Sequence, residues 1–137
     1  MKTLYQQIMS NINTLLSNLS SNDSGLRDKS AIELMDIGNP IAVKPLIEAI
    51  KEPNNINHRG TLVYALSNFD CSEHLSFLVN LVLTGNFEVS TGAFQIINDI
   101  KLNKKQIATI ESSLDKSNEL KEHNKEGFHE LLKLIGQ

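Results

Sequence analysis

The chain has 137 residues, of which 40% are apolar and 21% are charged, and its net charge is −3. This composition is typical of a globular chain rather than a disordered one, and the slight acidic excess argues against the basic surface of a nucleic-acid-binding protein. The single cysteine, Cys71, excludes an internal disulfide and favours a reducing compartment.

The first segment of the chain, MKTLYQQIMSNINTLL, predicts an amphipathic helix. Polar residues interrupt it throughout, so it resembles neither a secretory signal nor a membrane-spanning helix. We therefore expect a cytoplasmic protein that does not associate with membranes.

Two helical patterns then alternate along the whole chain, and each has apolar residues at the spacing of one buried helix face. The first pattern occurs four times, at Ile12, Leu15 and Leu19, at Val43, Leu46 and Ile50, at Leu75, Leu78 and Val82, and at Ile107, Ile110 and Leu114. The second pattern follows each time, at Ala31, Leu34 and Ile37, at Val63, Leu66 and Phe69, at Phe94, Ile97 and Ile100, and at Phe128, Leu131 and Leu134. No β-strand alternation is sustained, so we expect an all-α fold.

The spacing between equivalent residues is roughly 31 to 34 residues, which is the period of a helix-turn-helix repeat. A single repeat of this size cannot bury its apolar faces, whereas stacked neighbours form a continuous core. The sequence thus predicts one domain over residues 1–137, with repeats at approximately 1–38, 39–70, 71–101 and 102–137.

All three prolines lie in the stretch GNPIAVKPLIEAIKEP, residues 38–53. Gly38 can end one helix in the left-handed conformation, and Asn39 can cap the next. Pro45 is compatible with a helix only if residues 40–43 form a loose opening turn, since proline lacks an N–H. Pro53 ends the helix. We expect a short helix over roughly residues 44–51, with a bend near its start.

Other helix starts carry capping-box spacing, in which a short polar side chain precedes a glutamine or glutamate by three residues. The pairs are Thr3 with Gln6, Asp70 with Glu73, and Asn103 with Gln106. Ser24 precedes another helix, and Gly85–Asn86 ends the first helix of the third repeat.

The run SGLRDKSAIELMDIGNPIAVKPLIEAIKEPNNINHRGTLVYALSNF resembles the short HEAT-like repeats that also occur in phycobilisome lyases. Arg27 and Arg59 stand at the arginine position early in the second helix, Gly38-Asn39-Pro40 forms the turn, and residues 42–49 match the "AV-x-PLI-x-A" helix. The match is close over residues 24–69, weakens over residues 71–100, where Ser90 replaces the arginine, and is only a pattern at both ends of the chain. The resemblance implies a right-handed α-α superhelix (an α-solenoid) of about four helix pairs and, most often, a protein-binding role.

Sequence motifs for catalysis or metal binding are absent: the chain has no HExxH, CxxC, GxSxG or GxxxxGK[ST]. His129-Glu130 resembles the His-Glu pairs of HEAT-like di-iron hydroxylases, which need several such pairs, and here the other is the reversed Glu73-His74. Cys71 lies at a predicted helix start, where a thiol pKa can fall, but it has no obvious base partner. We expect no catalytic residue, no cofactor and no metal.

The predicted binding surface consists of second-helix residues that point away from the buried stripe. In the HEAT-like resemblance these helices line the concave face. The predicted partner-binding residues are Ile32, Asp36, Thr61, Tyr64, Asn68, Gln95, Asp99 and His129. A second interpretation stays open, in which Ile32 packs against a neighbouring helix and Tyr64 covers it.

Together these features predict a monomeric, non-catalytic protein–protein interaction module, an adaptor or an inhibitor such as a bacterial immunity-type protein. Its partner would be another protein, and the acidic residues of the surface favour a basic one. The alternative is an enzyme or enzyme subunit of the HEAT-like lyase or hydrolase type. Nucleic-acid binding is disfavoured, because HEAT-like DNA glycosylases use a basic, aromatic-bearing groove and this chain has no Trp.

Overall fold

Helices make up the secondary structure of the computed structural model, which describes residues 1–136. Residues 1–136 form eight α-helices: α1 (Leu4–Asn18), α2 (Ser24–Ile37), α3 (Val43–Lys51), α4 (Gly60–Leu66), α5 (Leu75–Thr84), α6 (Phe87–Asp99), α7 (Lys104–Lys116) and α8 (Lys125–Leu134). Three short 3-10 segments lie between them, Pro40–Ala42, Pro53–Asn55 and Asn118–Leu120. Residues 1–136 contain no strand, and the all-α prediction is confirmed.

The proline-rich stretch folds as its spacing predicts. Gly38 ends α2 with φ 73°, and the Asn39 side chain accepts a hydrogen bond from the backbone N–H of Ile41. A 3-10 turn then precedes α3. Pro45 lies in the first turn of α3, where a backbone N–H would have no partner within the helix, so the missing donor costs nothing there.

Two of the three predicted capping boxes are present. Thr3 and Asn103 each accept a hydrogen bond from the backbone N–H three residues later, and the Oε1 of the glutamine at that position accepts one from the backbone N–H of the capping residue. The predicted box at Asp70 is wrong. Its side chain accepts from the backbone N–H of Ser72 in a tight turn, and α5 does not begin until Leu75.

The α2 start also differs by one residue from the prediction. Asp23, not Ser24, caps this helix, and its carboxylate accepts from the backbone N–H groups of Gly25 and Leu26. A carboxylate near the positive end of the helix dipole is favourable.

The described chain divides into two compact units, unit 1 from Met1 to Phe69 and unit 2 from Asp70 onward. In unit 1, α2 packs against both α1 and α4, and α4 also packs against α3. In unit 2, α5 packs against α6, α7 and α8, and α8 also contacts α6 and α7.

The first helical pattern forms the core of each unit. Eleven of its twelve residues are buried, and Ile107 is half-buried. The second pattern predicts burial less accurately. Ile37 is exposed at the end of α2, a position adjacent to the Gly38 turn, and Phe69, Phe94, Ile100 and Leu134 are half-buried.

Arg27, at the predicted arginine position of the repeat, has a structural contact. Its side chain is buried, and its Nη1 donates a hydrogen bond of 2.7 Å to the backbone carbonyl of Ser21. This bond connects α2 to the turn that follows α1. A charge-assisted hydrogen bond of this kind stabilises the buried guanidinium and fixes the turn.

Candidate functional site

The predicted binding residues of unit 1 lie on two adjacent helices. Ile32 is half-buried on α2, and Tyr64 is 59% exposed on α4. The two helices pack against each other. Thr61, one turn before Tyr64, is half-buried. An exposed tyrosine with an apolar residue on the neighbouring helix is a composition found at the centres of protein interfaces.

Asn68 occupies a different setting from the predicted one. The helix α4 ends at Leu66, so Asn68 lies beyond it rather than on its outer face. Its Nδ2 donates a hydrogen bond of 2.9 Å to the backbone carbonyl of Met35 near the end of α2. Asn68 therefore connects the two helix ends, while its predicted role in binding stays a prediction. Asp36, next to Met35, is exposed.

The predicted binding residues of unit 2 lie on α6 and α8, which contact each other. Gln95 and Asp99 are exposed one turn apart on α6, and the Gln95 Nε2 donates a hydrogen bond of 2.9 Å to Asp99 Oδ1. His129 is exposed on α8. The structure thus brings Gln95 and Asp99 together.

A pocket of about 500 Å³ in unit 2 was not predicted from the sequence. One wall is the face of α6 that carries Phe87, Thr91 and Phe94, and the opposite wall is the face of α8 that carries Glu126 and Glu130. Phe87 is 87% exposed, whereas the prediction for this helix named the buried stripe and the exposed Gln95 and Asp99 but not Phe87. The signal in the sequence was an apolar residue directly after the N-cap Asn86, in register with Thr91 and Phe94.

A hydrogen-bond network forms the floor of the pocket. Ser90 Oγ donates to the backbone carbonyl of Val82 at 2.6 Å, and Asn124 Nδ2 donates to the same carbonyl at 2.9 Å and to Ser90 Oγ at 3.0 Å. The other end of the Asn124 amide accepts from the backbone N–H of Gly127 at 2.9 Å and so caps α8. The network joins α5, α6 and α8 through the buried Ser90 and the half-buried Asn124, whose polar groups satisfy one another.

The Cys71 thiol does not have the lowered pKa that a position at a helix N-terminus can cause. It lies in the turn before α5 and is 1% exposed. Burial, with a smaller contribution from the negative charge of Asp70, raises the pKa of the Cys71 thiol from 9.0 to about 11. Hydrogen bonds from Ser72 lower the pKa of Asp70 itself. A buried thiol with a raised pKa is a poor nucleophile at neutral pH.

Residues 1–136 contain no group of three or more His, Cys, Asp or Glu side chains placed to hold a metal ion. Within the same range, none of the helices combines the length and the apolar character needed to cross a membrane.

Comparisons with protein-family models, with curated proteins and with solved structures found no match to this chain. The resemblance to HEAT-like repeats therefore stays a prediction.

Proposed function

We propose that this chain is a right-handed α-solenoid of about four HEAT-like helix pairs, and that it is a non-catalytic protein-binding module. The alternation of two helix patterns supports this architecture. So does the packing inside each unit, where α2 lies on α4, α5 on α7, and α6 on α8. In each case, helices of the same pattern are neighbours, as stacking of repeats requires.

The observation that carries the proposed binding role is the exposure of Tyr64. A tyrosine brings a large, rigid contact area to an interface and loses little side-chain entropy when it binds. Ile32 on the adjacent helix supplies apolar area beside it, and Asp36 and Thr61 supply a polar rim. The partner binds this surface with Tyr64 near the centre of the contact.

The partner in this proposal is a basic protein, because the charged predicted residues, Asp36 and Asp99, are both exposed acids. The chain is then a monomeric, cytoplasmic adaptor or inhibitor, and a bacterial immunity-type protein that blocks a toxin is one concrete form. The proposal requires no cofactor and no metal.

The test is affinity capture from the source cell, followed by calorimetry with the captured partner. Tyr64→Ala should weaken binding by about 2 kcal/mol or more, because it removes a central aromatic contact. Its melting temperature should be almost unchanged, since the side chain is mostly exposed. The control is Glu48→Lys, an exposed residue of the first-pattern helix α3, which should retain binding.

The opposite result would place the interface elsewhere. Loss of binding in Glu48→Lys, together with full binding in Tyr64→Ala, would exclude the Tyr64 surface. Unfolding of Tyr64→Ala would show that the tyrosine stabilises the fold by covering Ile32.

A further inference from the structure

The pocket between α6 and α8 has opposite walls of different chemistry. On α6, Phe87, Thr91 and Phe94 follow one another at the spacing of one helix face. On α8, Glu126 and Glu130 are four residues apart, which places their Cβ atoms about 6 Å from each other on the same face. A group that enters this pocket meets aromatic rings on one side and carboxylates on the other.

The charge of the lining favours a cation. His123 also lines the pocket, and with histidine counted as neutral the formally charged residues of the described lining are Glu126 and Glu130. The floor cannot offer its buried donors to an anion, because both hydrogens of the Asn124 amide and the hydroxyl hydrogen of Ser90 are already donated within the network.

Three lysines between residues 121 and 133 have side-chain contacts, and one of these contacts involves the pocket wall. Lys121 Nζ lies 5.6 Å from the centre of the Phe128 ring, Lys125 Nζ lies 3.0 Å from Glu122 Oε2, and Lys133 Nζ lies 3.4 Å from Glu130 Oε1. The Lys133–Glu130 pair is the one that involves a wall residue. Both of its side chains are substantially exposed, and such a pair has little stability of its own. An incoming cation can therefore replace Lys133 at Glu130.

We propose that this pocket binds an arginine side chain presented by a basic partner protein. A guanidinium is planar and stacks on aromatic rings, and it can also donate two parallel hydrogen bonds to a carboxylate. The walls supply both kinds of contact at once. An ammonium group, as a strongly hydrated point charge, uses the carboxylates but gains less from the rings.

This inference rests on the proposed function, because it takes the partner to be a basic protein and names the side chain of that partner that a pocket in unit 2 would bind. It gives a partner that is basic in sequence, with an exposed arginine flanked by small residues that allow the side chain to enter a pocket of about 500 Å³.

The test uses two capped tripeptides, acetyl-Gly-Arg-Gly-amide and the same peptide with citrulline in place of arginine. Citrulline has nearly the same shape but no charge. Each is titrated into the ¹⁵N-labelled full chain, and amide shifts are followed by NMR. We expect saturable shifts of the Thr91 and Gly127 amide signals with the arginine peptide. The affinity for the citrulline peptide should be lower by about tenfold or more, because the charge-assisted hydrogen bonds are lost.

Variants of each wall, compared with a matched control, test whether that wall contacts the arginine side chain. Glu126→Gln should weaken arginine-peptide binding about tenfold, whereas Glu111→Gln, an exposed residue of α7 with the same charge change, should leave it unchanged. Phe87→Ser should weaken it about two- to fivefold through loss of the cation–π contact, without unfolding, because the ring is exposed.

Equal affinity for the arginine and citrulline peptides, no shifts at all, or equal weakening by Glu126→Gln and Glu111→Gln would overturn the inference. These outcomes are separable from failure of the proposed function. If the captured partner still binds in a Tyr64-dependent manner while the arginine peptide does not bind, the pocket assignment alone is wrong. If the peptide binds but Tyr64→Ala leaves partner binding intact, the Tyr64 surface is wrong and the pocket remains.

Discussion

Gly25 and Gly127 occupy comparable places and have different surroundings. Each lies in the first turn of a helix and donates its backbone N–H to the side chain of the N-cap residue, Asp23 or Asn124. A Cβ at Gly25 would meet only Asp23 Oδ1, at 3.3 Å. A Cβ at Gly127 would lie 2.6 Å from Asn124 Nδ2 and 3.0 Å from Val82 Cγ1. The Asn124 amide cannot easily move away, since it is part of the pocket floor.

These surroundings predict opposite effects for the same substitution. Gly25→Ala should be neutral or stabilise the protein by up to about 1 kcal/mol, because alanine is the better helix former. Gly127→Ala should destabilise it by about 1–3 kcal/mol, because overpacking displaces Asn124. Urea unfolding of both variants measures the difference, and equal changes in the midpoint would contradict the close approach at Gly127.

The raised pKa of Cys71 predicts a pH dependence of stability. In the unfolded chain the thiol ionises near pH 9, and in the folded chain near pH 11. Between these values the unfolded state binds fewer protons, so the free energy of unfolding falls as pH rises. The contribution is fully present below pH 9 and is lost as pH rises through about 11, with a total magnitude of about 3 kcal/mol.

The measurement is urea unfolding at several pH values under reducing conditions, for the wild type and Cys71→Ala. Lysine and tyrosine titrations are common to both proteins and cancel in the difference. The difference in unfolding free energy should shrink from pH 9 to pH 11. A constant difference would show that the thiol is solvated in the folded protein.

At the scale of single helices, the sequence predicted starts and ends well where the signal is local. The turn at Gly38, the cap at Asn39 and the opening turn before α3 all depend on neighbours within a few residues. The start of α5 was missed for a related reason. Asp70 has two local options, a capping box with Glu73 or a tight turn with Ser72, and spacing alone does not distinguish them.

Helix α6 shows what periodicity alone cannot resolve. The repeat alignment assigned Phe94, Ile97 and Ile100 to the core, yet Val89 and Ala93 are fully buried and Phe94 is only half-buried. Ala93 puts a small side chain in the core, and Phe94, the next residue along the helix, lines the pocket. Hydrophobicity scales rank Phe above Ala, so the pattern favoured the wrong residue.

Packing of the helices predicts unequal costs for two leucine truncations. Leu66, at the end of α4, is 0% exposed, and Leu4, at the start of α1, is 73% exposed. Leu66→Ala should lower the free energy of unfolding by about 2–5 kcal/mol through lost burial and a cavity. Leu4→Ala should lower it by less than about 0.5 kcal/mol, as is usual for surface substitutions. Equal shifts in thermal melting would contradict this packing.

At the scale of the whole molecule, the candidate site was only partly accessible from sequence. The exposure of Tyr64, Asp36 and Gln95 follows from helical periodicity, which is a local property. The pocket does not, because its walls come from α6 and α8, which are separated by the whole of α7. Which faces of two distant helices meet depends on the packing of every helix between them.

The net charge of −3 predicts that the rate of association with the proposed basic partner falls when the salt concentration rises or when an acidic residue of the Tyr64 surface is reversed in charge. Asp36→Lys should slow association several-fold at low ionic strength and flatten the salt dependence, with a smaller change in dissociation. Stopped-flow or surface-binding kinetics at two salt concentrations measure both rates. Glu48→Lys makes the same change in net charge on α3, and an equal slowing by both variants would assign the effect to total charge rather than to the Tyr64 surface.

The acceptor at the centre of the pocket floor is the main-chain carbonyl of Val82, and no codon change can delete it. Mutations can change this hydrogen-bond network only at the donor residues Ser90 and Asn124 or through the volume of the side chain at position 82. In a saturation-mutagenesis library scored for folded protein, positions 90 and 124 should accept few substitutions. Position 82 should accept substitutions that match valine in shape. Sequence constraint on the network would therefore be strongest at Ser90 and Asn124, the two donor residues, rather than at Val82, whose backbone carbonyl accepts their hydrogen bonds.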